Sequence, residues 1–310
     1  MEKSIRLVTY NVDGLPEEID LKCLPWYLKF ITLIYYCIKG TTKVRVNDNS
    51  GVTDCIKRIS SWLSGINSDI IGVQEDFDYH DILYSDLVNS YSCGTYEGGL
   101  LSGGIDIFPY PRLEADGLGL MIKNDRVKIL EEDCIKWKKS YGYFSHANDK
   151  LIEKGFRFYC LLIDGEVKLD LYIVHMDADF YDPVNCPDVS DDVNARKSQL
   201  CQIVDYVKGR NKFGIHNPII IMGDTNSSVK YEWDIENIEN NLLIPINRIN
   251  GLCIYESIPG NMRDVDRVFY VNDDKSDYYL LSGNCEFGGD DVIGLSDHRP
   301  LISEFSFRLK

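Results

Sequence analysis

The chain has 310 residues, of which 44% are hydrophobic and 12% aromatic, enough to fill a sizeable core in one large domain or two ordinary ones. These values indicate a globular protein. The formal net charge of −16 removes the usual long-range attraction to a phosphate backbone, so it argues against non-specific binding of nucleic acid unless a cleft is locally positive or filled by a metal ion.

The predicted elements begin with a strand over residues 5–12, in which apolar and polar residues alternate. The segment 24–38 is the most apolar of the chain, but it is shorter than the roughly 20 residues of a membrane-spanning helix. A core helix and an interfacial helix both fit this segment, and the second would give peripheral contact with a membrane. A helix over 52–66 and a buried strand over 69–74 then complete a strand–helix–strand unit.

The middle of the chain is dominated by strands and turns. Glycines and prolines within 91–116 predict loops or a short hairpin, and a strand follows over 117–123. Two β-rich runs, 155–163 and 166–175, flank Asp164-Gly165, which is a strong signal for a hairpin. The second run therefore delivers a histidine at its end.

The last part of the chain combines one long helix with short strands. Apolar residues at helical spacing predict a helix over 191–209, with Gly209 as its C-terminal cap. Further strands are predicted over 218–222, 267–271, 278–281 and 301–307. This pattern predicts an α/β protein with two packed, mostly antiparallel sheets and helices on the outer faces. Because no linker or repeat is evident, we predict one domain over 1–310, with variable insertions at about 16–51 and 91–116.

The cysteines and the N-terminus bear on the compartment. Ten cysteines are scattered without CxxC pairs or zinc-ligand spacing, which favours free, reduced thiols. The first residues, MEKSIRLVTYNV, enter a strand pattern at once and lack the sections of a signal peptide. We expect a cytoplasmic protein or one that is delivered into a reducing compartment, and we expect a monomer.

Six short polar motifs each follow an apolar run. They are Asn11-Val12-Asp13, Gln74-Glu75, His175-Met176-Asp177, Asp224-Thr225-Asn226, Asp264-Val265-Asp266 and Ser296-Asp297-His298. Any one of them is more often a cap or turn than a catalytic group. Carboxylates, amides and imidazoles are nevertheless the groups that hold a hard divalent cation and move protons around a phosphate ester. Strand ends are where a sheet protein gathers such groups, so the set predicts an enzyme.

These motifs resemble those of the endonuclease/exonuclease/phosphatase superfamily, in family order and over nearly the whole chain. The matching stretches are TYNVDGL at 9–15, GVQE at 72–75, HMDA at 175–178, GDTN at 223–226, DVDRVFY at 264–270 and LSDHRPL at 295–301. The resemblance implies a four-layered α/β sandwich. It also implies cleavage of a phosphate ester that depends on Mg²⁺, with Mn²⁺ as a substitute.

The resemblance also implies a set of metal ligands. Glu75 is similar to the principal ligand of the family, and Asn11, Asp13 and Asp297 match positions that help directly or through water. Magnesium prefers carboxylate and water ligands because it dehydrates reluctantly.

Proton transfer and phosphate binding are implied in the same way. His298 matches the residue that accepts the proton of the attacking water, and Asp266 matches the carboxylate that orients its ring. Asp224 is a competing candidate for the base, and the sequence leaves the two open. Asn226 would donate to the phosphate and position the water, while His175 would hydrogen-bond a phosphoryl oxygen or assist the leaving group. Ordinary surface or turn positions are expected for the other histidines, His80, His146 and His216.

The branch of the superfamily is less clearly indicated. Lys-Gly-Phe at 154–156, the hairpin, HMDAD at 175–179, and Arg196 with Gln199 resemble sphingomyelinase-like phosphodiesterases. The Asn-Val-Asp-Gly-Leu start is shared with endonucleases, and Gly-Asp-Thr-Asn with Asp-Arg-Val-Phe also resembles tyrosyl-DNA phosphodiesterases.

Charge and aromatic content favour a phospholipid headgroup or a small phosphodiester as substrate over extended nucleic acid. A nuclease or a tyrosyl-DNA phosphodiesterase-like repair hydrolase is the alternative, and inositol phosphates and other monoesters are further candidates. An inactive binding module is the hypothesis of a different class. Such relatives typically lose a metal or proton-transfer group, whereas this chain has the required residue types at every motif.

Overall fold

The computed structural model describes residues 3–14, 50–77, 79–96, 116–141, 154–179, 188–260 and 262–310. The apolar segment 24–38 and most of both predicted insertions lie outside the described residues. The predictions made for them therefore stay predictions.

The described strands are β1 (Lys3–Gly14), β2 (Ile70–Asp76), β3 (Tyr91–Cys93), β4 (Gly119–Lys123), β5 (Val127–Lys136), β6 (Gly155–Ile163), β7 (Val167–His175), β8 (Ile219–Asp224), β9 (Leu252–Ser257), β10 (Asp266–Asp273), β11 (Tyr278–Phe287) and β12 (Leu301–Leu309). The described helices are α1 (Ser50–Ile66), α2 (His80–Tyr84), α3 (Ser190–Lys212), α4 (Glu232–Ile238) and α5 (Ile244–Asn247). A π-helical turn, Glu239–Leu243, joins α4 to α5, and a 3-10 turn spans Asp290–Val292. None of these helices is long and apolar enough to cross a membrane.

The strands form two six-stranded sheets in the described part of the chain. The first has the order β11-β12-β1-β2-β4-β3, and the second has the order β5-β6-β7-β8-β10-β9. Neighbours are antiparallel except for the pairs β1–β2 and β7–β8. Each parallel pair is joined through a long helix, α1 or α3, because parallel strands need a crossover connection. The predicted pair of mostly antiparallel sheets is confirmed.

The fold has four layers, namely two sheets and a helical layer on each outer face. Apolar side chains fill the three interfaces between neighbouring layers. The central interface joins the inner faces of the two sheets, with Leu7 and Ile70 on one side and Ile173 and Met222 on the other. Gly72 lies where the side chains of the second sheet pack directly on the backbone of the first, since a Cβ atom there would be 2.4 Å from the Met222 Cε. The outer interfaces join α1 to the first sheet and α3 to the second. The result is a four-layered α/β sandwich with helices on the outer faces.

The long predicted elements match the observed ones closely, and the misses have local causes. The predicted hairpin is present, although its strands pair Ile163 with Val167 and so leave three residues between them. Asp164 and Gly165, with φ values of 48° and 71°, are the central residues of a turn that the Glu166 N–H closes by donating to the Ile163 carbonyl at 3.0 Å. The predicted cap at Gly209 is wrong: α3 continues to Lys212, and Arg210 donates to the Asp170 carboxylate at 2.7 Å. Strand β5 was not predicted because its edge position leaves most of its residues partly or fully exposed, without a clear apolar alternation.

Candidate active site

The six polar motifs converge at one edge of the sandwich. Strands β1 and β2 run parallel and end together, and β7 and β8 do the same in the second sheet, where His175 pairs with Asp224. Strand β10 runs antiparallel to β8, so its first residue, Asp266, also pairs with Asp224. Topology therefore brings residues as far apart in sequence as Asn11 and Ser296, 285 positions, to one place.

The Asn11 amide joins the two sheets at this edge. Its Nδ2 atom donates to Glu75 Oε1 at 3.0 Å and to Asp224 Oδ2 at 3.1 Å. His175 Nε2 lies 3.7 Å from the same Glu75 oxygen and 3.8 Å from the same Asp224 oxygen. Two acids, the partly exposed Glu75 from the first sheet and the buried Asp224 from the second, thus face one amide and one imidazole.

A histidine–carboxylate pair lies on the other side of Asp224. His298 Nδ1 donates to Asp266 Oδ2 at 2.7 Å, and His298 Nε2 lies 3.7 Å from Asp224 Oδ2. Ser296 holds the preceding turn, because its hydroxyl donates to the Asn11 carbonyl at 2.8 Å and accepts from the His298 backbone N–H at 3.0 Å. The imidazole is therefore fixed at one nitrogen by Asp266 and presents the other to the acids of the site.

Asp13 and Asp297 lie at the rim of the site. Both are exposed, and the side chain of Asp297 is 73% accessible, with Oδ1 3.9 Å from His298 Nε2. Among the described residues, the groups that could share one ion are Glu75–His175–Asp224 and Asp224–Asp266–His298. Neither group includes Asp13 or Asp297, and their predicted assistance to a metal ion stays a prediction.

Three of the predicted site residues have a left-handed backbone. Asp13, Glu75 and Asn226 have φ values of 49°, 60° and 47°. This conformation costs an L-residue other than glycine roughly 1–2 kcal/mol, so neighbouring contacts must hold it. At Asn226 those contacts are visible: its backbone N–H donates to Asp224 Oδ1 at 2.8 Å, and its side-chain amide donates to the Met176 carbonyl at 2.9 Å.

Burial changes the protonation of the site. It raises the pKa of Glu75 to about 7, although the charge of Lys154 and the hydrogen bond from Asn11 oppose the rise. Burial also lowers the pKa of His175 well below its usual value, and the positive charges of Lys154 and His298 add to this effect. At neutral pH His175 is therefore a neutral imidazole, and Glu75 binds a proton readily when no cation is near.

The same burial acts on the His298–Asp266 pair. Burial raises the pKa of Asp266 to about 6, although the hydrogen bond from His298 acts to lower this pKa. Burial lowers the pKa of His298, but the hydrogen bond and charge of Asp266, with the charge of Asp224, outweigh burial and raise this pKa to about 10. Without a cation, the pair is therefore an imidazolium bound to a carboxylate.

This set of side chains fits a hard divalent cation. Glu75 and Asp224 supply carboxylate oxygens next to the neutral imidazole of His175, and a cation bound there would favour the ionised form of Glu75, whose pKa is raised by burial. The buried Nδ1 of His175 and Oδ1 of Asp266 have no hydrogen-bond partner within the described residues. Oxygen-rich sites with few protein ligands are those that suit Mg²⁺.

The raised pKa of Glu75 leads to a prediction for metal affinity. Because a cation binds the carboxylate and competes with its proton, the affinity for Mg²⁺ is expected to rise by up to about tenfold per pH unit below about pH 7 and to level off above it. Isothermal titration calorimetry with Mg²⁺ and Mn²⁺ between pH 5.5 and 8.5 measures this dependence. An affinity that stays constant across this range would contradict the role of Glu75 as a ligand.

Several residues that hold the site were not assigned a role from sequence. Arg196, which is fully buried on α3, donates to the Asp177 carbonyl at 3.1 Å and to the Asp234 carboxylate at 2.8 Å. The other oxygen of Asp234 accepts from the Ser228 backbone N–H at 2.9 Å. One turn along α3, Gln199 donates to Asp177 Oδ1 at 2.6 Å. These contacts tie the loops that follow β7 and β8 to one helix. In the sequence, the sign of this role is that two polar residues, Arg196 and Gln199, lie three positions apart on the face of α3 that is otherwise apolar.

The remaining histidines also differ from expectation. The prediction of an ordinary surface or turn position is wrong for His80, whose Nδ1 donates to the buried Asp76 at 2.6 Å. Burial lowers the pKa of His80, but the hydrogen bond to Asp76 outweighs it and raises this pKa to about 10. His216 is likewise paired, with Asp273 at 2.7 Å, and His146 lies outside the described residues. An apolar pattern gives no sign of polar pairs, and His216 and Asp273, 57 positions apart, become neighbours only after folding.

The two mixed sheets and their outer helices are the fold of the endonuclease/exonuclease/phosphatase proteins. One structure with this fold is that of an endonuclease/exonuclease/phosphatase from Bacteroides vulgatus. Its TM-score is 0.57, and its identity is 12% over 99% of this chain and 100% of that one. Staphylococcus aureus beta toxin with bound magnesium ions is similar, with a TM-score of 0.60 and 18% identity over 97% of this chain and 99% of that one. D. rerio TDP2 complexed with single-strand DNA product has a TM-score of 0.59 and 16% identity over 97% and 98% of the two chains. Sphingomyelinase C from Streptomyces griseocarneus has a TM-score of 0.58 and 14% identity over 97% and 99%. No family model and no curated protein matches the sequence.

Proposed function

We propose that this protein is a metal-dependent phosphodiesterase that hydrolyses a phosphate ester by in-line attack of water. The observation that carries the proposal is the meeting of Glu75 and Asp224 from different sheets at the Asn11 amide, with the His298–Asp266 pair facing the same Asp224 oxygen. Similarity to beta toxin with bound magnesium ions supports the choice of cation. An inactive binding module has no need for a buried acid with a raised pKa next to a neutral imidazole.

The residues that would hold the cation are Glu75 and Asp224, with Asn11, Asp13 and Asp297 assisting directly or through water. A magnesium ion bound there would neutralise a phosphoryl oxygen and stabilise the leaving oxygen. Asn11 orients both acids, because a single amide donates to each of them.

His298 is our choice for the proton acceptor. Its Nδ1 is tied to Asp266, so the ring presents Nε2 to the attacking water, and Asp266 stabilises the imidazolium that forms. Both oxygens of Asp224 already accept hydrogen bonds, from Asn11 and from the Asn226 backbone, which makes Asp224 better suited to orient groups than to take a proton. The neutral His175 and the amide of Asn226 would donate hydrogen bonds to phosphoryl oxygens.

A phospholipid headgroup or a small phosphodiester is the proposed substrate. The similarity to sphingomyelinase C supports it, and the charge of −16 opposes tracking along a long polyanion. A DNA repair hydrolase or nuclease is the second candidate, because the structure of TDP2 with single-strand DNA product is equally similar. Contact with a membrane through residues 24–38 remains a proposal for the lipid case.

Parallel assays separate these functions. Bis-p-nitrophenyl phosphate with Mg²⁺ or with a chelator tests the reaction itself, and hydrolysis is expected only with the metal. Sphingomyelin-containing vesicles, a 5′-phosphotyrosyl oligonucleotide and abasic duplex DNA test the substrate. Turnover of the DNA substrates alone would reject the lipid assignment, and hydrolysis that survives the chelator would reject the reaction.

A further inference from the structure

A second buried cluster follows Glu75 in the chain. Asp76 is 1% exposed, and its Oδ2 accepts from His80 Nδ1 at 2.6 Å. The ring of Tyr96 stacks on the His80 ring, with 3.9 Å between centroids and 12° between planes. The Tyr96 hydroxyl lies 2.8 Å from the Asp76 carbonyl oxygen and 2.6 Å from the Phe77 carbonyl oxygen, so its one proton is shared between these two acceptors. The side chain and main chain of Asp76 are thus fixed by the same stacked pair of rings.

This cluster lies where the backbone of Glu75 needs support. Glu75 has a φ of 60°, and the Asp76 N–H that follows donates to the Gly117 carbonyl at 2.9 Å. On the other side of the turn, a Cβ atom at Gly14 would lie 2.5 Å from the Glu75 carbonyl oxygen. The backbone at Gly14 therefore packs too closely against Glu75 to accommodate a side chain. A left-handed glutamate persists only when the residues around it hold the backbone on both sides.

We propose that Asp76, His80 and Tyr96 are positioning residues for Glu75, which hold its left-handed turn and so aim its carboxylate at the Asn11 amide and the cation. This inference rests on the proposed function, because it gives Glu75 its role as metal ligand. None of the three side chains is a ligand itself. They act as outer partners of a ligand, whose loss typically weakens metal affinity by about 10- to 100-fold.

The chain offers a matched control at the opposite end of the sandwich. His216 Nδ1 binds the buried Asp273 at 2.7 Å, and its side chain is 20% exposed against 14% for His80. His216 precedes β8 and Asp273 ends β10, whereas the site lies at the end of β8 and the start of β10. Removing either histidine breaks a short contact between an imidazole nitrogen and a buried carboxylate, but only one of the two contacts is next to a predicted metal ligand.

The test compares His80→Ala and His216→Ala by the thermal midpoint, the affinity for Mg²⁺ and the kinetics with bis-p-nitrophenyl phosphate. Both variants are expected to lose similar stability. His80→Ala is expected to weaken Mg²⁺ binding about tenfold or more and to lower kcat at limiting Mg²⁺ with little change in the KM for the ester. Excess Mg²⁺ should restore part of its kcat, and His216→Ala should bind Mg²⁺ like the wild type.

Two further variants keep the proposal testable if His80→Ala does not fold. His80→Asn keeps an N–H donor close to the Nδ1 position and should recover part of the Mg²⁺ affinity, whereas Tyr96→Phe keeps the stacked ring but removes the hydroxyl and should weaken Mg²⁺ binding. Wild-type affinity in both His80→Ala and Tyr96→Phe, or equal losses in His80→Ala and His216→Ala, overturns the inference. If the wild-type protein binds Mg²⁺ but hydrolyses no ester, only the proposed function is refuted. The comparison of Mg²⁺ affinity between His80→Ala and His216→Ala still decides whether His80 positions Glu75. A wild-type protein that binds neither Mg²⁺ nor Mn²⁺ overturns both.

Discussion

Replacing Glu75 by glutamine is expected to lower metal-dependent hydrolysis of a phosphodiester by roughly a thousandfold, because a bound cation contributes several kcal/mol to charge stabilisation in the transition state. Glutamine keeps the size of the side chain and can still accept the hydrogen bond from Asn11. It lacks the charge that holds a hard cation. The loss should therefore appear both in kcat at fixed Mg²⁺ and in the Mg²⁺ affinity measured by calorimetry.

The same substitution is expected to stabilise the metal-free protein. Burial raises the pKa of Glu75 from 4.5 in the unfolded chain to about 7 in the folded one. A raised pKa contributes stability that is fully present below about pH 4.5 and is lost as the pH rises through about 7. The neutral glutamine does not ionise, so at pH 8 the metal-free variant should be more stable than the wild type by on the order of 3 kcal/mol.

Thermal unfolding at pH 6 and pH 8, with and without Mg²⁺, checks this expectation. The wild type should gain stability from Mg²⁺ at pH 8 and the variant should not. Glu166→Gln provides a control, because Glu166 is an exposed residue paired with Lys3 at 2.5 Å. A Glu75→Gln protein that retains wild-type activity, or that melts well below the wild type without metal, would argue against the assigned role.

Replacing His298 by alanine is expected to lower hydrolysis by about 10²- to 10⁴-fold, the usual contribution of a positioned general base. Mg²⁺ affinity should change far less, because His298 is oriented by Asp266 and belongs to the proton-transfer side of the site. A loss of activity without loss of metal binding separates this variant from Glu75→Gln.

The pH profile gives the sharper test of His298. The hydrogen bond and charge of Asp266 raise the pKa of His298 to about 10 before a cation binds, and only the neutral imidazole can take a proton. The rate of the wild type should therefore rise with pH through the neutral and alkaline range, with a midpoint below 10 because a nearby cation lowers this pKa. His298→Ala should lose that rise. If the alanine variant keeps the wild-type profile and most of the rate, Asp224 takes the proton instead.

The local pattern of the chain predicted most long elements to within a few residues. Residues 5–12, 52–66 and 69–74 were expected to form a strand–helix–strand unit, and they lie within or nearly coincide with β1, α1 and β2. Such elements bury a continuous face, so their periodicity is strong. The helix α2 and the edge strand β5 were missed because short or exposed elements leave little periodic signal.

The candidate site could be predicted as a set of residues but not as a geometry. The motifs pointed to Glu75, His175, Asp224, Asp266 and His298, and the structure gathers these five at one edge. The sequence did not foresee that one amide, that of Asn11, would donate to acids from both sheets. The contact joins residues 213 positions apart, and only the packing of the two sheets decides it.

Two buried ion pairs show the same limit. Asp76 and His80 are close in sequence, but the sequence does not show that the Tyr96 ring stacks on His80 or that the neighbouring Glu75 has a left-handed backbone. Arg196 meets Asp234 only because α3 and α4 pack side by side over the second sheet. Buried charges persist where a partner is supplied, and partners that come from distant segments leave no local pattern.

The sequence by itself determined the long strands and helices, the sandwich class and the residue types of the candidate site, because periodicity and motif order are local properties of the chain. Tertiary structure alone decided which motif residues touch, that Asp13 and Asp297 lie at the rim, and how far burial raises the pKa of Glu75. The physical reason is that distances, desolvation and charge–charge effects depend on what surrounds a residue in space.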